Sequence, residues 1–239
     1  MTFVRSLLFN IAVFGWSILL LIAFIPMIFL PRGAMLSASR FWTRSIFWLH
    51  KKILKLDYEF RGREHLPDGP FIVASAHQSA WDTIAYFTVL SDPVFVLKKE
   101  LCRIPMFGLY SRKLEMIAID RSAGARAARR MIASVSDRLA AGRQVLIFPG
   151  GTRSAPHEVV PLKAGIGALY RRCGVPVVPV SLNSGWFWGR RSFLKKPGKI
   201  LVEFHEPIPP GLDTDAFDAL LSERIHQGNR RLLEEAKAV

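Results

Sequence analysis

The hexapeptide HQSAWD follows the apolar run FIVASA and places His77 five positions before Asp82. An imidazole titrates near neutrality, and a carboxylate that accepts from one ring nitrogen leaves the other able to take a proton. The pair therefore has the chemistry of a general base and its orienting partner. Residues five apart on an uninterrupted helix sit about 140° from each other. The two can meet only if His77 stays on the turn and the helix begins near Ser79. Taken alone, they read more plainly as a core histidine beside an aspartate at a helix start, where its charge is favourable.

Three further segments supply anion-binding chemistry. MIAIDR delivers Arg121 just past one apolar run, and FPGGTR sets Gly150, Gly151, Thr152 and Arg153 on a turn after another. Backbone N–H groups on a glycine-rich turn can form an anion nest, and a guanidinium adds a planar fork of donors. VPVVPVS (175–181) is a proline-punctuated, buried-looking strand.

These residues need elements to hold them. Short apolar runs at 57–62, 71–76, 94–97, 116–119, 145–148, 176–181 and 200–205 read as strands. Helical stretches lie between them, clearest at 123–141 and 163–173, and a last helix over 214–236 starts at a plausible cap, Thr214. Near-continuous apolar strands alternating with helices predict an α/β fold, a mostly parallel sheet flanked by helices. Ligands in such sheets gather beyond the carboxyl ends of the strands, which is where His77 falls.

The chain before residue 57 is different. From Ser6 to Pro31 there is no charged residue. As one helix the run would reach about 39 Å, enough to cross a hydrocarbon core of about 30 Å with tilt. It is longer than a typical signal-peptide core, and no clear small-x-small cleavage site follows. Pro26 and Pro31 allow the alternative of a re-entrant hairpin in one leaflet. SASRFWTRSIFWLHKKILK (37–55) then mixes aromatics with cations. It reads as an interfacial helix, with Phe41, Ile46, Phe47, Ile53 and Leu54 roughly sharing a face and Arg40, Arg44, Lys51, Lys52 and Lys55 meeting anionic lipid, the alternative being an ordinary packed helix with a solvated face. The expected organisation is residues 1–56 as N-terminal membrane-associating helices and 57–239 as a catalytic α/β domain. The cation excess places that domain on the cytoplasmic face of an inner or cytoplasmic membrane.

Composition narrows the function classes. Hydrophobic residues make up 50% of the 239, so a sizeable core is available and disorder is excluded. The formal charge of +14 points to a polyanionic partner: nucleic acid, an anionic membrane or a phosphorylated substrate. No zinc-finger, RNP-like or P-loop signature supports nucleic acid. Cys102 and Cys173 are isolated, so neither a disulfide framework nor a zinc site is expected, and no ligand cluster calls for a metal or cofactor.

In order and spacing, HQSAWD, MIAIDR, FPGGTR and VPVVPVS resemble the four blocks of the 1-acylglycerol-3-phosphate acyltransferase family. KKELCRIPMFG (98–108) is similar to a further segment of that family, and the likeness covers roughly residues 60–210. The resemblance implies a membrane-bound enzyme moving an acyl chain from acyl-CoA or acyl-acyl-carrier-protein to the sn-2 hydroxyl of lysophosphatidic acid, giving phosphatidic acid. It implies His77 as general base and Asp82 as its orienting partner. Arg121 and Arg153, with Lys98 as a weaker candidate, would bind the acceptor phosphate, and Gly151 and Thr152 would shape the loop. A thioester has a good leaving group, so one oriented base can activate the acceptor hydroxyl without an acylated serine. In agreement, the sequence holds no GxSxG elbow. One position departs: Gly150 stands in this substrate-binding loop where the family has glutamate, which leaves another lysolipid acceptor open.

Overall fold

A computed structural model describes residues 1–120, 122, 124–163 and 165–238. Seven strands form one sheet: β1 (Leu56–Arg61), β2 (Ile72–Ser75), β3 (Pro93–Lys98), β4 (Ile117–Ile119), β5 (Gln144–Ile147), β6 (Val177–Leu182) and β7 (Gly198–Phe204). Their order is β1-β7-β6-β2-β5-β3-β4. Every neighbouring pair is parallel except β6 with β7. β2, β5 and β6 are buried at each position, which is why they read as unbroken apolar runs instead of alternating ones. All seven expected strands are present, with ends shifted by a residue or two.

The helices are α1 (Thr2–Ala23), α2 (Arg32–Leu49), α3 (Asp82–Ala85), α4 (Phe107–Lys113), α5 (Gly124–Ala140), α6 (Gly165–Cys173), α7 (Ser184–Phe187) and α8 (Thr214–Lys237). The cap of α8 is Asp213, whose carboxylate accepts from Ala216 N at 2.9 Å, with Thr214 the first helical residue. The two-residue period of a strand divides the core into two layers. Ile72, Ala74, Val145 and Ile147 pack with Val135 of α5, Leu169 of α6 and Phe217 of α8. Val73, Leu146 and Val178 face the other way, onto Phe9, Met35, Ile46 and Phe47. The N-terminal helices, together with Trp81, Tyr86 and Phe87 after β2, thus cover this face of the sheet.

α1 and α2 form an antiparallel hairpin closed by a turn over Ile25–Ile28, with Pro26 at its start. Trp16 Nε1 donates to Ser45 Oγ at 2.7 Å and Trp42 Nε1 to Ser17 Oγ at 3.0 Å, so each indole finds its partner across the hairpin. The face expected on the second helix is split. Ile46, Phe47 and Leu54 are buried against the sheet, while Phe41 and Trp48 point outward. Arg40, read as a headgroup cation, instead clamps the carbonyls of Phe87, Leu90 and Ser91. The reason is that the sheet needs a cover on this face, and burying that area outweighs lipid contact. A π-turn over His50–Leu54 and a left-handed Lys55 (φ 57) then feed the chain directly into β1.

α1 is the one helix among the described residues long and apolar enough to cross a bilayer. It does not stand clear of the sheet. Near its start Ser6 and Phe9 are buried, and Lys195 donates its backbone N–H to Ser6 Oγ and its ammonium to Asn10 Oδ1. Near its end Tyr110 of α4 donates to Leu21 O at 2.5 Å. Its other face leaves Leu7, Ile11, Phe14, Ile18 and Ile22 exposed.

Candidate active site

β2 ends at Ser75, and the chain leaves the sheet as a loop carrying His77 before α3 starts at Asp82. The helix begins three residues later than expected because Ser79 and Ala80 belong to the turn. That turn is built around one carboxylate. Asp82 Oδ2 accepts from Gln78 N at 2.7 Å, Ser79 N at 2.8 Å and His77 Nδ1 at 3.1 Å. Asp82 Oδ1 accepts from Ser184 Oγ at 2.6 Å. The side chain of Asp82 is 0% exposed and that of His77 is 15%. A carboxylate taken fully out of water needs this density of donors to remain charged.

Because a carboxylate only accepts, His77 carries its proton on Nδ1 in the neutral state, which makes Nε2 the basic nitrogen. Nε2 has no protein partner among the described residues. The ring stacks on Phe148, with centroids 4.0 Å apart and planes 17° from parallel. The His77 carbonyl accepts from Ser154 N at 2.9 Å, tying this turn to the FPGGTR loop. Further support comes from Gln78, whose amide donates to Leu182 O and accepts from Gly185 N. Below, Tyr86 donates to Ser75 Oγ at 2.5 Å, and burial pushes its phenol far above the usual range, so it stays a donor.

A cleft opens beside His77, lined by Gly150 and Thr152, by Glu158 and Val160, and by His226 of α8. Burial lowers the His226 imidazole, leaving it neutral at physiological pH. Gly151 adopts φ 71, a left-handed conformation that glycine takes freely. Gly150 is needed for space: a Cβ there would lie 2.8 Å from Val160 Cγ1.

His77, Asp82, Gly150 and Thr152 are therefore brought together, with Arg153 one residue on. Lys98 closes β3, two strands from β2, and is exposed beside the Lys99–Asp120 ion pair. Arg121 lies outside the described residues. Sequence reasoning missed Ser184 and Gln78. Gln78 lay inside the motif, but only the turn's geometry gives it two backbone partners. Ser184 is one serine after a strand and carries no signal. No group of three or more His, Cys, Asp or Glu among the described residues could hold a metal.

The family model described as Acyltransferase matches residues 57–183, more than half of the chain. The chain belongs to the acyltransferase family. A 1-acyl-sn-glycerol-3-phosphate acyltransferase of Pseudomonas aeruginosa is 37% identical over 164 residues, 67% of this chain and 63% of that protein. The match thus spans less than two thirds of that relative's length. The mouse protein named 1-acyl-sn-glycerol-3-phosphate acyltransferase alpha is 29% identical over 89% of this acyltransferase and 75% of its own length. Among solved structures, the 1-acyl-sn-glycerophosphate (LPA) acyltransferase PlsC of Thermotoga maritima superposes with a TM-score of 0.82 at 25% identity. That match covers 97% of this chain and 98% of the other, so the α/β architecture and the helical hairpin are both shared.

Proposed function

We propose that this acyltransferase moves an acyl chain from an acyl thioester to the sn-2 hydroxyl of lysophosphatidic acid, yielding phosphatidic acid. The observation that carries the reading is His77, held at Nδ1 by a fully buried carboxylate with Nε2 unpartnered at the cleft. Nε2 takes the hydroxyl proton as the alkoxide oxygen attacks the thioester carbonyl. The carbon–oxygen bond forms, the tetrahedral centre collapses, and the carbon–sulfur bond breaks. The departing thiolate, whose conjugate acid has a pKa of about 8.5, recovers the proton from the imidazolium. Asp82 fixes the ring and stabilises its transient positive charge. The Gly151–Thr152–Arg153 turn and Arg121 hold the acceptor phosphate, with Lys98 contributing charge from β3. Acyl-CoA and acyl-acyl-carrier-protein both suit the basic surface as donors.

The test is product formation by purified protein in mixed micelles, with labelled thioester and lysophosphatidic acid. Wild type makes phosphatidic acid, and His77→Ala loses at least about 10²-fold, the usual worth of a positioned base. His77-independent product would sink the assignment. A second reading rests on Val160 occupying the space a glutamate at 150 would need. The same chemistry would then serve a lysolipid with a different head group, and a panel of acceptors separates the two.

The hairpin supports membrane association, with the α/β domain on the cytoplasmic side. Since both ends of α1 dock on the domain, it lies along one leaflet instead of spanning two. Cysteines placed at Phe3 and Phe29 in sealed vesicles would then be labelled from the same side; opposite-side labelling would favour a span.

A further inference from the structure

The segment from α7 to β7, Ser184 to Gly198, contains WFWGRRSFLKKP and touches everything the reaction needs. At its start, Ser184 bonds Asp82, and Gly185 sits so close to Gln78 and Pro156 that an added Cβ would lie 2.8 Å and 3.1 Å from them. In its middle, Arg190 Nη1 donates to the backbone carbonyl of Arg153 at 3.1 Å. Towards its end, Phe193 packs on Phe3 and Lys195 binds Ser6 and Asn10 of the membrane-associating helix. The segment is a strap from the catalytic turn, over the FPGGTR loop, to the lipid-facing hairpin.

Its arginines have no carboxylate partner among the described residues, while Lys196 lies over the Trp186 ring at 3.7 Å. Arg153, Arg190, Arg191 and Lys196 make no ion pair with any carboxylate among the described residues. Elsewhere the chain pairs many of its cations, as Arg143 does with Glu115 and Arg61 with Glu59 and Glu235. The hydrogen bond from Arg190 Nη1 to Arg153 O uses one of five guanidinium donors and seats the Arg190 side chain on the backbone of the FPGGTR loop. A guanidinium with donors to spare and no carboxylate partner can be satisfied by a bound phosphate. Arg153 precedes Ser154, whose N–H donates to the His77 carbonyl at 2.9 Å, so the backbone that carries Arg153 is tied to the turn that carries His77.

We propose that Arg190 is a further arginine of the acceptor site, joining Arg153 and Arg121 in binding the phosphate monoester of the lysolipid beside the FPGGTR loop. The assignment rests on the acyl-transfer reading above. Arg190 touches substrate phosphate but moves no proton, so its loss weakens acceptor binding and leaves the chemical step intact.

Initial rates measured against acceptor and donor concentrations separately test this. Arg190→Ala raises the KM for lysophosphatidic acid about tenfold or more, the worth of a charge-assisted hydrogen bond. The KM for the thioester and kcat stay within about twofold. Arg190→Lys recovers part of the loss because it keeps charge but not the fork. Arg191→Ala, removing the same charge one residue along, leaves both constants unchanged. An unchanged acceptor KM in Arg190→Ala overturns the proposal, as does a rise confined to the donor, which would give the arginine to the donor's phosphates. An equal effect from Arg191→Ala overturns it too, by reducing it to surface charge. Wild-type protein that makes no phosphatidic acid removes the underlying reading as well, so the two failures are distinguishable.

Discussion

Replacing Asp82 by alanine and by asparagine separates what the fold needs from what the chemistry needs. Alanine strips the acceptor from Gln78 N, Ser79 N and Ser184 Oγ, all on buried residues. Each buried donor left without a partner costs about 1–3 kcal/mol, so the three together cost roughly 3–9 kcal/mol. Typical domains have only about 5–15 kcal/mol of stability in total. Asp82→Ala is therefore expected to accumulate poorly or to melt at a much lower temperature. Asparagine keeps one oxygen where Oδ2 stands, still accepting from the two backbone N–H groups, and its amide can donate to Ser184 Oγ, which turns to accept. Its fold cost stays within about 2 kcal/mol. What it loses is the negative charge beside the imidazolium that forms during catalysis. At the observed 3.1 Å, with an effective dielectric of about 20, that attraction is about 5 kcal/mol. Allowing for relaxation, the rate should fall about 10²–10⁴-fold. The assay is phosphatidic acid formation at saturating donor, alongside thermal melts by circular dichroism. Asparagine variants within tenfold of wild type, or an alanine variant melting with wild type, would refute the reasoning.

His50 gives a pH dependence: its Nδ1 donates to Leu56 O, its Nε2 accepts from Trp81 Nε1, and burial lowers its pKa to about 4. Between pH 4 and 6.5 the unfolded chain binds the proton and the folded chain does not, so stability rises with pH there. The contribution, about 3 kcal/mol, is complete above pH 6.5 and gone near pH 4; denaturant melts of wild type and His50→Gln should diverge in slope over that window. Gly150→Glu forces Val160 aside and should cost about 1–3 kcal/mol by overpacking. Adding Val160→Ala should relieve it, and a changed ranking of lysolipid acceptors by kcat/KM is expected in the double variant. Lys195→Ala removes the bonds to Asn10 and Phe193 O and its stacking over Trp188, so amide exchange should accelerate selectively over residues 2–12.

The strands were legible because β2, β5 and β6, buried on both faces, leave an unbroken apolar signature. Their partners were not, because pairing is set by long-range packing, and nothing in ILVEFH says that β7 runs against β6. His77 and Asp82 stood out by residue type and spacing, their proposed roles came from the four-block resemblance, and the turn that lets them meet was inferred from helical geometry. The contacts of Ser184 with Asp82 and of Arg190 with Arg153 were not legible, since each joins residues more than thirty positions apart in sequence. On α2 the reading went astray for a related reason. Aromatics and cations at an interface look alike whether the apolar neighbour is lipid or a sheet, and only the tertiary fold assigns Ile46 and Phe47 inward and Trp48 outward.

The antiparallel pairing of β6 with β7 decides which rim of the sheet the helical hairpin meets. Because β7 reverses against β6, it starts beside the end of that strand, with Leu182 opposite Val202. β1 follows β7 in parallel, so Leu56 stands opposite Gly198 at the same edge. The exit of the hairpin, Lys55, is thus delivered to the rim from which His77 projects, and Gly198 N bonds the Lys55 carbonyl there at 3.0 Å. Were β1 to run with β2 instead, that exit would open on the far rim, a strand length of about 20 Å away. Two reversed strands therefore act as a return path that brings the exit of the hairpin back to the rim of the His77 turn.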